Sequence, residues 1–174
     1  MNAILPLYDC KLTLFRHTKP INVVKVSPDG RKLLSGADDG MLIIWNLEDG
    51  SEEQTISVAF NRPVTSAVWI SNPQGTPNQA FAFGTADGNL FVYAYHTNYY
   101  DFAFSAVAHN GVIKDIAFDA HHKRLATTGN GCMKLWEIDE KCFPVDDEVE
   151  LPAPDSHHGN AGTLQLALEL NTDS

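Results

Sequence analysis

The sequence is short of basic residues and has no long apolar run. Its 174 residues include 12 lysines and arginines against 22 aspartates and glutamates, a formal net charge of −10. Nucleic-acid binding depends on cations that neutralise phosphates, so this balance predicts no nucleic-acid partner. The long uncharged stretch at residues 63–86 is interrupted by Pro73, Gly75 and Pro77, whereas a membrane span needs about 20 apolar residues. With no basic, apolar leader at the N-terminus, we expect no membrane association and an intracellular protein, cytoplasmic or nuclear.

Cysteine is scarce, and the motifs of common enzyme classes are missing. The three cysteines, Cys10, Cys132 and Cys142, cannot all pair and match no metal-binding spacing, so packed thiols are predicted. There is no Gly-x-x-x-x-Gly-Lys-Ser/Thr phosphate loop, no Gly-x-Ser-x-Gly elbow and no His-Glu-x-x-His motif. The paired histidines at 121–122 and 157–158 are more typical of exposed turns than of metal sites. The sequence predicts no enzyme, no cofactor and no metal.

One pattern occurs three times in the sequence. The first copy begins at His17, passes through a Ser-Pro-Asp-Gly turn at 27–30 and closes on Trp45-Asn46. The second begins near residue 60 and closes on Tyr93, which lies 48 residues after Trp45. The third begins at residue 109 and closes on Trp136, a further 43 residues along the chain. A period of this length is typical of a β-propeller blade.

Each copy has the pattern of four short strands separated by turns. Apolar residues alternate or run in fours and fives between clusters of Gly, Pro, Asp and Asn, which favours strands over helices. Pro28 sets the backbone at the first corner, Gly30 is free to adopt positive φ, and Asp39-Gly40 marks the next reversal. The predicted fold class is all-β: a partial β-propeller of about three four-stranded antiparallel blades.

This pattern resembles the WD-repeat β-propeller family. The resemblance rests on Arg16-His17, the turn at 27–30, the Ser-Gly-Ala-Asp-Asp-Gly segment at 35–40 and Trp45-Asn46. It covers about residues 8–142. The blade domain is assigned to residues 1–142, with repeats at about 17–50, 60–98 and 109–139 and an outer strand at 8–16. The resemblance implies a non-catalytic scaffold that binds other proteins or peptides.

The resemblance also implies a buried hydrogen-bonded chain of His, Ser or Thr, Asp and Trp within a blade. The first copy has all four residues: His17, Ser35, Asp39 and Trp45. The second copy keeps Asp87 but has Phe60, Phe83 and Tyr93 in the other three places. The third has His109, Thr128 and Trp136, and its shortened Asn130-Gly131 turn leaves no Asp. A catalytic dyad of His17 and Asp39 is the weaker alternative, because the repeat already explains both residues.

Three blades form an open wedge, because propellers close with four to eight blades. One explanation is a portion of a longer propeller, which is favoured because an open wedge leaves blade faces and strand edges uncovered. The other is a short chain that associates with another chain, or with itself, to complete the propeller. Residues 143–174 are predicted to be an acidic, proline-containing tail or the start of a fourth blade, and 143–154 is poor strand material.

The resemblance places partner contacts on the loops at one end of the blades. The candidate contact residues are Lys19, Asn22, Asp38, Arg62, Thr65 and Lys114. Lys19 and Arg62 hold the same place in successive copies and would form a weak basic spot for an acidic or phosphorylated peptide. The alternative is that they are ordinary solvated loop charges.

Two other functions stay open at this point. The blades would position a catalytic neighbour if they are a propeller segment of a larger multidomain regulatory or signalling enzyme. A degenerate fragment without independent function would instead show molten spectra and protease sensitivity.

Overall fold

The computed structural model describes residues 9–58, 62–71 and 79–138, and the backbone of residues 149–151. Every regular element in this part of the chain is a β-strand. The strands are β1 (Ile21–Val26), β2 (Lys32–Ala37), β3 (Met41–Asn46), β4 (Glu52–Ser57), β5 (Val64–Ile70), β6 (Ala80–Thr85), β7 (Asn89–His96), β8 (Tyr99–Val107), β9 (Ile113–Asp119), β10 (Arg124–Gly129), β11 (Cys132–Glu137) and β12 (Val149–Leu151).

The strands form three antiparallel sheets of four, each in the order of the chain. We call β1–β4 blade 1, β5–β8 blade 2 and β9–β12 blade 3. The predicted all-β class, with about three four-stranded antiparallel blades, is confirmed.

Turn chemistry produces the reversals within each blade. In the first turn, Gly30 has a φ of 72° and its amide donates to the Ser27 carbonyl at 2.8 Å. The hairpin between β10 and β11 is built by Asn130 and Gly131, which have φ values of 46° and 79°. Positive φ at both positions is the requirement of a two-residue type I′ hairpin, as that dipeptide predicts.

Two apolar cores hold the blades together. The core between blades 1 and 2 contains Leu34, Leu42 and Ile44 on one side and Val64 and Trp69 on the other. The core between blades 2 and 3 is formed by residues such as Leu90, Val92, Ile113, Ile116 and Leu125. Successive residues of a strand point to opposite faces, so blade 2 supplies one set of side chains to each core. Blade 2 is therefore covered on both faces.

The segment before β1 differs from the prediction. An outer strand was expected at residues 8–16, but residues 9–16 contain no strand. Leu12 and Leu14 instead pack beside Gly50, and Arg16 forms an ion pair with Glu52 at 2.9 Å. A strand needs a neighbour that accepts and donates its backbone hydrogen bonds, and such a neighbour would belong to another blade.

The fourth strand of blade 3 also differs from the prediction. Residues 143–154 were interpreted as poor strand material, yet Val149–Leu151 pairs antiparallel with β11. These three residues lie between Pro144 and Pro152, so each keeps the amide that a strand requires. The interpretation is wrong for 149–151. The predictions for the rest of 143–174 lie outside the described residues.

Candidate functional site

Blade 1 contains a continuous hydrogen-bonded chain of four side chains. The Nδ1 atom of His17 lies 3.0 Å from a carboxylate oxygen of Asp39, and its Nε2 atom lies 2.8 Å from the Ser35 hydroxyl. The indole N–H of Trp45 donates to the same hydroxyl at 2.8 Å. Because a carboxylate only accepts, the ring proton belongs on Nδ1 and Nε2 accepts from Ser35. The strands thus join the residues that the resemblance singled out in this blade.

The carboxylate of Asp39 is held in its charged form. Burial raises its pKa, but hydrogen bonds from the Thr18 amide, the His17 ring and the Met41 amide outweigh the burial. The pKa of Asp39 is therefore below its ordinary value. Asp39 connects the segment before β1 to the turn before β3.

In blade 3 the hydroxyl belongs to Thr127, and the prediction of Thr128 is wrong. The Thr127 hydroxyl lies 2.9 Å from His109 Nε2 and accepts the Trp136 indole N–H at 3.1 Å. Trp136 follows Thr127 by nine residues, whereas Trp45 follows Ser35 by ten. Gly129 stands at the place of Ala37 and not of Gly36, so aligning Thr128-Gly129 with Ser35-Gly36 selects the neighbour on the opposite face. Counting back from the tryptophan, through the Leu125–Trp136 pair, would have identified Thr127.

A thiol takes the place of the missing aspartate in blade 3. The Cys132 Sγ atom lies 3.2 Å from His109 Nδ1 and donates to the Gly129 carbonyl at 3.3 Å. Sequence reasoning assigned Cys132 no contact and took the position as lost. Its place directly after the Asn-Gly turn was the available signal. Cys132 and Asp39 thus face the same ring nitrogen of their blades' histidines.

Blade 2 replaces the polar chain with aromatic packing. Phe83 and Tyr93, in the Ser and Trp positions, stack with ring centroids 5.9 Å apart. Asp87 remains at the turn, where it accepts from Thr85 at 2.5 Å and from Asn89 at 2.6 Å and pairs with Arg62. The predicted place of Phe60 lies outside the described residues. Blade 2 therefore depends on ring packing where blade 1 depends on hydrogen bonds.

Two of the candidate contact residues connect adjacent blades. The strands β1, β5 and β9 begin at one end of the blades, and we call this end the tetrad end. Here Asn22 donates to Asp38 at 2.7 Å and to the Val64 carbonyl of blade 2 at 3.0 Å. Thr65 donates to the Ile113 carbonyl of blade 3 at 2.6 Å. Both residues are β-bulges at equivalent positions, so their polar groups serve the blade interfaces.

The basic candidates have different surroundings at the tetrad end. Lys19 and Lys114 are exposed, and Lys114 occupies in blade 3 the bulge position of Asn22 and Thr65. In blade 2, Arg62 pairs with Asp87. The equivalent carboxylate of blade 1, Asp39, is hydrogen-bonded to His17 instead. The structure brings Asn22 and Asp38 together, and it places three cations at one end without joining them.

Neither a metal centre nor a membrane helix is found among the described residues. No three side chains of His, Cys, Asp or Glu gather there in a way that would hold a metal ion. In the same part of the chain, no helix is both long enough and apolar enough to cross a membrane.

Comparison with known proteins connects this geometry to one repeat family. The model of the "WD domain, G-beta repeat" family matches residues 8–46 and 102–137. These two stretches include the His17 chain of blade 1 and the His109 chain of blade 3.

Several longer proteins are similar to parts of the chain. One subunit of chromatin assembly factor 1 from Gallus gallus is 46% identical over 44 residues, which are 25% of this chain and 8% of that protein. Protein HIR1 of Chaetomium globosum is 26% identical over 127 residues, which are 66% of this chain and 12% of that protein. Human WD repeat-containing protein 55 is 25% identical over 135 residues, which are 77% of this chain and 33% of that protein. The chain thus spans a third or less of the length of these relatives.

Proposed function

Because this chain belongs to the WD-repeat family, we propose that it is a non-catalytic scaffold that binds a protein or peptide at its tetrad end. WD-repeat domains generally mediate contacts between proteins, and one relative is named as a subunit of a chromatin assembly factor. The observation that carries the proposal is the presence of Lys19, Arg62 and Lys114 at one end of a chain whose net charge is −10. The proposed partner presents acidic or phosphorylated side chains to these cations.

The buried hydroxyl groups that bond to the histidine rings support a structural role for these two histidines. The Ser35 hydroxyl sits between the His17 ring and the Trp45 indole, and the serine is buried. A nucleophile must reach a substrate, but this oxygen has both neighbours inside the blade. Thr127 of blade 3 is held in the same way and is also buried. We therefore propose that both hydrogen-bond networks stabilise their blades and that the loops bind the partner.

The contact surface is proposed to be smaller than the six residues singled out in the sequence. The side chains of Asn22 and Thr65 donate hydrogen bonds to backbone carbonyls of the next blade, so they fix the spacing between adjacent blades at the tetrad end. Lys19, Arg62 and Lys114 then supply the charge that faces the partner. Asp38 accepts from Asn22 and keeps that amide in place.

Charge reversal at the tetrad end tests this proposal. We expect Lys19→Glu combined with Lys114→Glu to abolish recovery of partner proteins in a pull-down from a native extract. Both side chains are exposed, so the fold should be retained. Arg31→Glu is the matched control, because Arg31 is exposed on the turn at the opposite end of blade 1. Equal recovery by the double variant, the control and the unmodified chain would refute the proposed surface.

The compartment proposed for this function is the nucleus. The support is the similarity of 44 residues to a protein named for chromatin assembly. Fractionation of cells that express the protein from its own promoter should then recover it with nuclei. Recovery in the cytosolic fraction alone would remove this part of the proposal and leave the binding surface unaffected.

A further inference from the structure

Blade 2 exposes two aromatic rings on the outer part of the face that it turns towards blade 1. Tyr95 of β7 is 47% exposed, and Phe102 of β8 is 54% exposed. They share one face of the sheet, because Phe102 pairs with Tyr93, which lies two residues before Tyr95 on the same strand. We call the surface formed by Tyr95 and Phe102 the aromatic face. It lies at the end of the blade opposite to the tetrad end.

The two exposed rings rest on rings that belong to the core between blades 1 and 2. Tyr95 lies edge-on to Tyr100 with ring centroids 5.1 Å apart. Phe102 lies edge-on to Tyr93 at 5.8 Å, and Tyr93 in turn stacks on the fully buried Phe81 at 5.6 Å. Rings that are held in this way lose little conformational freedom when a partner binds.

Blade 1 carries a charged residue where blade 2 carries Phe102. Glu52 pairs with Trp45 in blade 1. Phe102 pairs with Tyr93, which holds the place of Trp45 in blade 2. The Glu52 carboxylate binds the Arg16 side chain at 2.9 Å. The chain therefore places a guanidinium at this position of blade 1, whereas in blade 2 a half-exposed ring stands at the same position.

Two carboxylates of blade 1 lie close to the aromatic face. Burial raises the pKa of Tyr100, and the negative charges of Glu53 and Asp29 raise it further. Glu53 forms an ion pair with Lys32, so one cation of the chain is already bound beside the rings. Two negative charges against one positive charge leave this side of the surface anionic.

Blade 2 adds a third carboxylate to this surface. Burial and the negative charge of Asp101 both raise the pKa of Tyr93. The sequence has no lysine or arginine between Arg62 and Lys114, and both of those residues belong to the tetrad end. The aromatic face therefore combines exposed rings with an excess of negative charge, a combination that attracts a cation.

We propose that the aromatic face binds an arginine side chain of a partner protein. Tyr95 and Phe102 are diagonal neighbours across two paired strands, which places them about 7–8 Å apart. One guanidinium can then lie within about 6 Å of both ring centroids. A guanidinium is planar and weakly hydrated, so it stacks on rings more readily than an ammonium does. This partner is basic, whereas the partner proposed for the tetrad end is acidic, so the two proposals concern separate surfaces.

Titration of the full chain with three matched peptides tests the proposal. The peptides have the sequence Gly-Ser-Gly-X-Gly-Ser-Gly, with arginine, lysine or the uncharged citrulline at X. In NMR spectra of the aromatic side chains, the arginine peptide should shift the ring signals of Tyr95 and Phe102 until they saturate. We expect the arginine peptide to bind at least about 3-fold more tightly than the lysine peptide. The citrulline peptide should give no saturable shift, because it has no charge.

Leucine substitutions isolate the contribution of the rings. Tyr95→Leu combined with Phe102→Leu removes both rings and keeps apolar side chains, and we expect roughly 5- to 30-fold weaker binding of the arginine peptide. Tyr99→Leu is the matched control. Tyr99 is 50% exposed, but it pairs with His96 and lies on the opposite face of the sheet. The control should bind the arginine peptide as tightly as the unmodified chain does.

Three results would overturn the proposal. One is equal affinity for the arginine and lysine peptides, which would show that only the net charge of the chain attracts them. Another is unchanged affinity of the double leucine variant when its circular dichroism matches that of the unmodified chain. If that variant does not fold, the ring signals of the unmodified chain decide. The third result is therefore a saturable shift that leaves out Tyr95 and Phe102, or no shift at all.

Discussion

At the scale of single residues, the three blades carry chemically different side chains at one equivalent turn position. The turn position near the histidine carries Asp39 in blade 1, Asp87 in blade 2 and Cys132 in blade 3. Each contacts a group that precedes the first strand of its blade: the His17 ring, the Arg62 guanidinium or the His109 ring. The position therefore needs a group that holds the preceding segment against the turn, and a carboxylate is one of several that do so.

Thr127 and Thr128 provide a comparison of two adjacent residues of the same type. Thr127→Val removes the hydroxyl that bonds to both His109 Nε2 and Trp136 Nε1. We expect a loss of about 1–3 kcal/mol in the free energy of unfolding, measured by urea denaturation. Thr128→Val is the control and should stay within about 0.5 kcal/mol, because β-branched residues suit strands. A larger loss for Thr128→Val would contradict the assignment.

Asp39 gives blade 1 a stability that depends on pH. Since its pKa in the folded protein is below the ordinary value of 3.8, its stabilisation is complete above 3.8 and is lost as the pH falls through the folded value. We expect Asp39→Asn to be less stable than the unmodified chain at pH 7, with the difference shrinking below pH 3.8. Urea denaturation of both proteins from pH 7 to pH 2.5 measures it. A difference that does not change with pH would show that the charge is unimportant.

At the scale of elements, the repeat pattern was enough to predict the strands but not their ends. Spacing between Trp45, Tyr93 and Trp136, with Gly and Pro at the turns, predicted three blades correctly. The pattern could not place β12, because three residues between prolines carry almost no periodic signal. It also could not predict that residues 9–16 form no strand, since that depends on a neighbouring strand and not on local preference.

In the candidate site too, the local sequence pattern predicted some contacts, whereas contacts between residues far apart in the sequence could not be predicted. The four residues of blade 1 lie at the family's usual spacing, and the structure joins them. The sequence prediction placed this hydroxyl at Thr128 instead of Thr127, because either of two adjacent threonines fits the pattern and only the pairing of β10 decides which one faces His109. The bonds from Asn22 and Thr65 to the next blade span 42 and 48 residues, a separation at which sequence alone carries no signal.

The turn between β6 and β7 packs directly on the segment before β9. The Gly88 carbonyl accepts the amides of Ala108 and His109, and a Cβ at Gly88 would lie 1.8 Å from the His109 carbonyl oxygen. We expect Gly88→Ala to destabilise the chain by about 2 kcal/mol or more in urea denaturation. Gly30→Ala is the control, because Gly30 also has positive φ but has no atom within 4 Å of an added Cβ. Equal losses for the two variants would mean that the contact adds nothing to the backbone strain.

At the scale of the whole molecule, the order of the blades sets the order of their stability. Among the described residues, blade 2 shares an apolar core with each neighbour, whereas blades 1 and 3 each share one. All six residues of β6 are buried, but only three of the six in β10 are. Opening an outer blade uncovers one core, and opening blade 2 uncovers both.

Native-state hydrogen exchange should therefore rank the blades. We expect the amides of β6 and β7 to exchange more slowly than those of β2 and β3, and the amides of β10 and β11 to exchange fastest. Comparing only the two middle strands of each blade removes the effect of strand edges, since each middle strand is paired on both sides. Identical exchange rates in the three pairs of strands would contradict this ranking and show that the blades open only together. The coupling between blades would then be stronger than the difference in stability between a blade covered on one face and a blade covered on both.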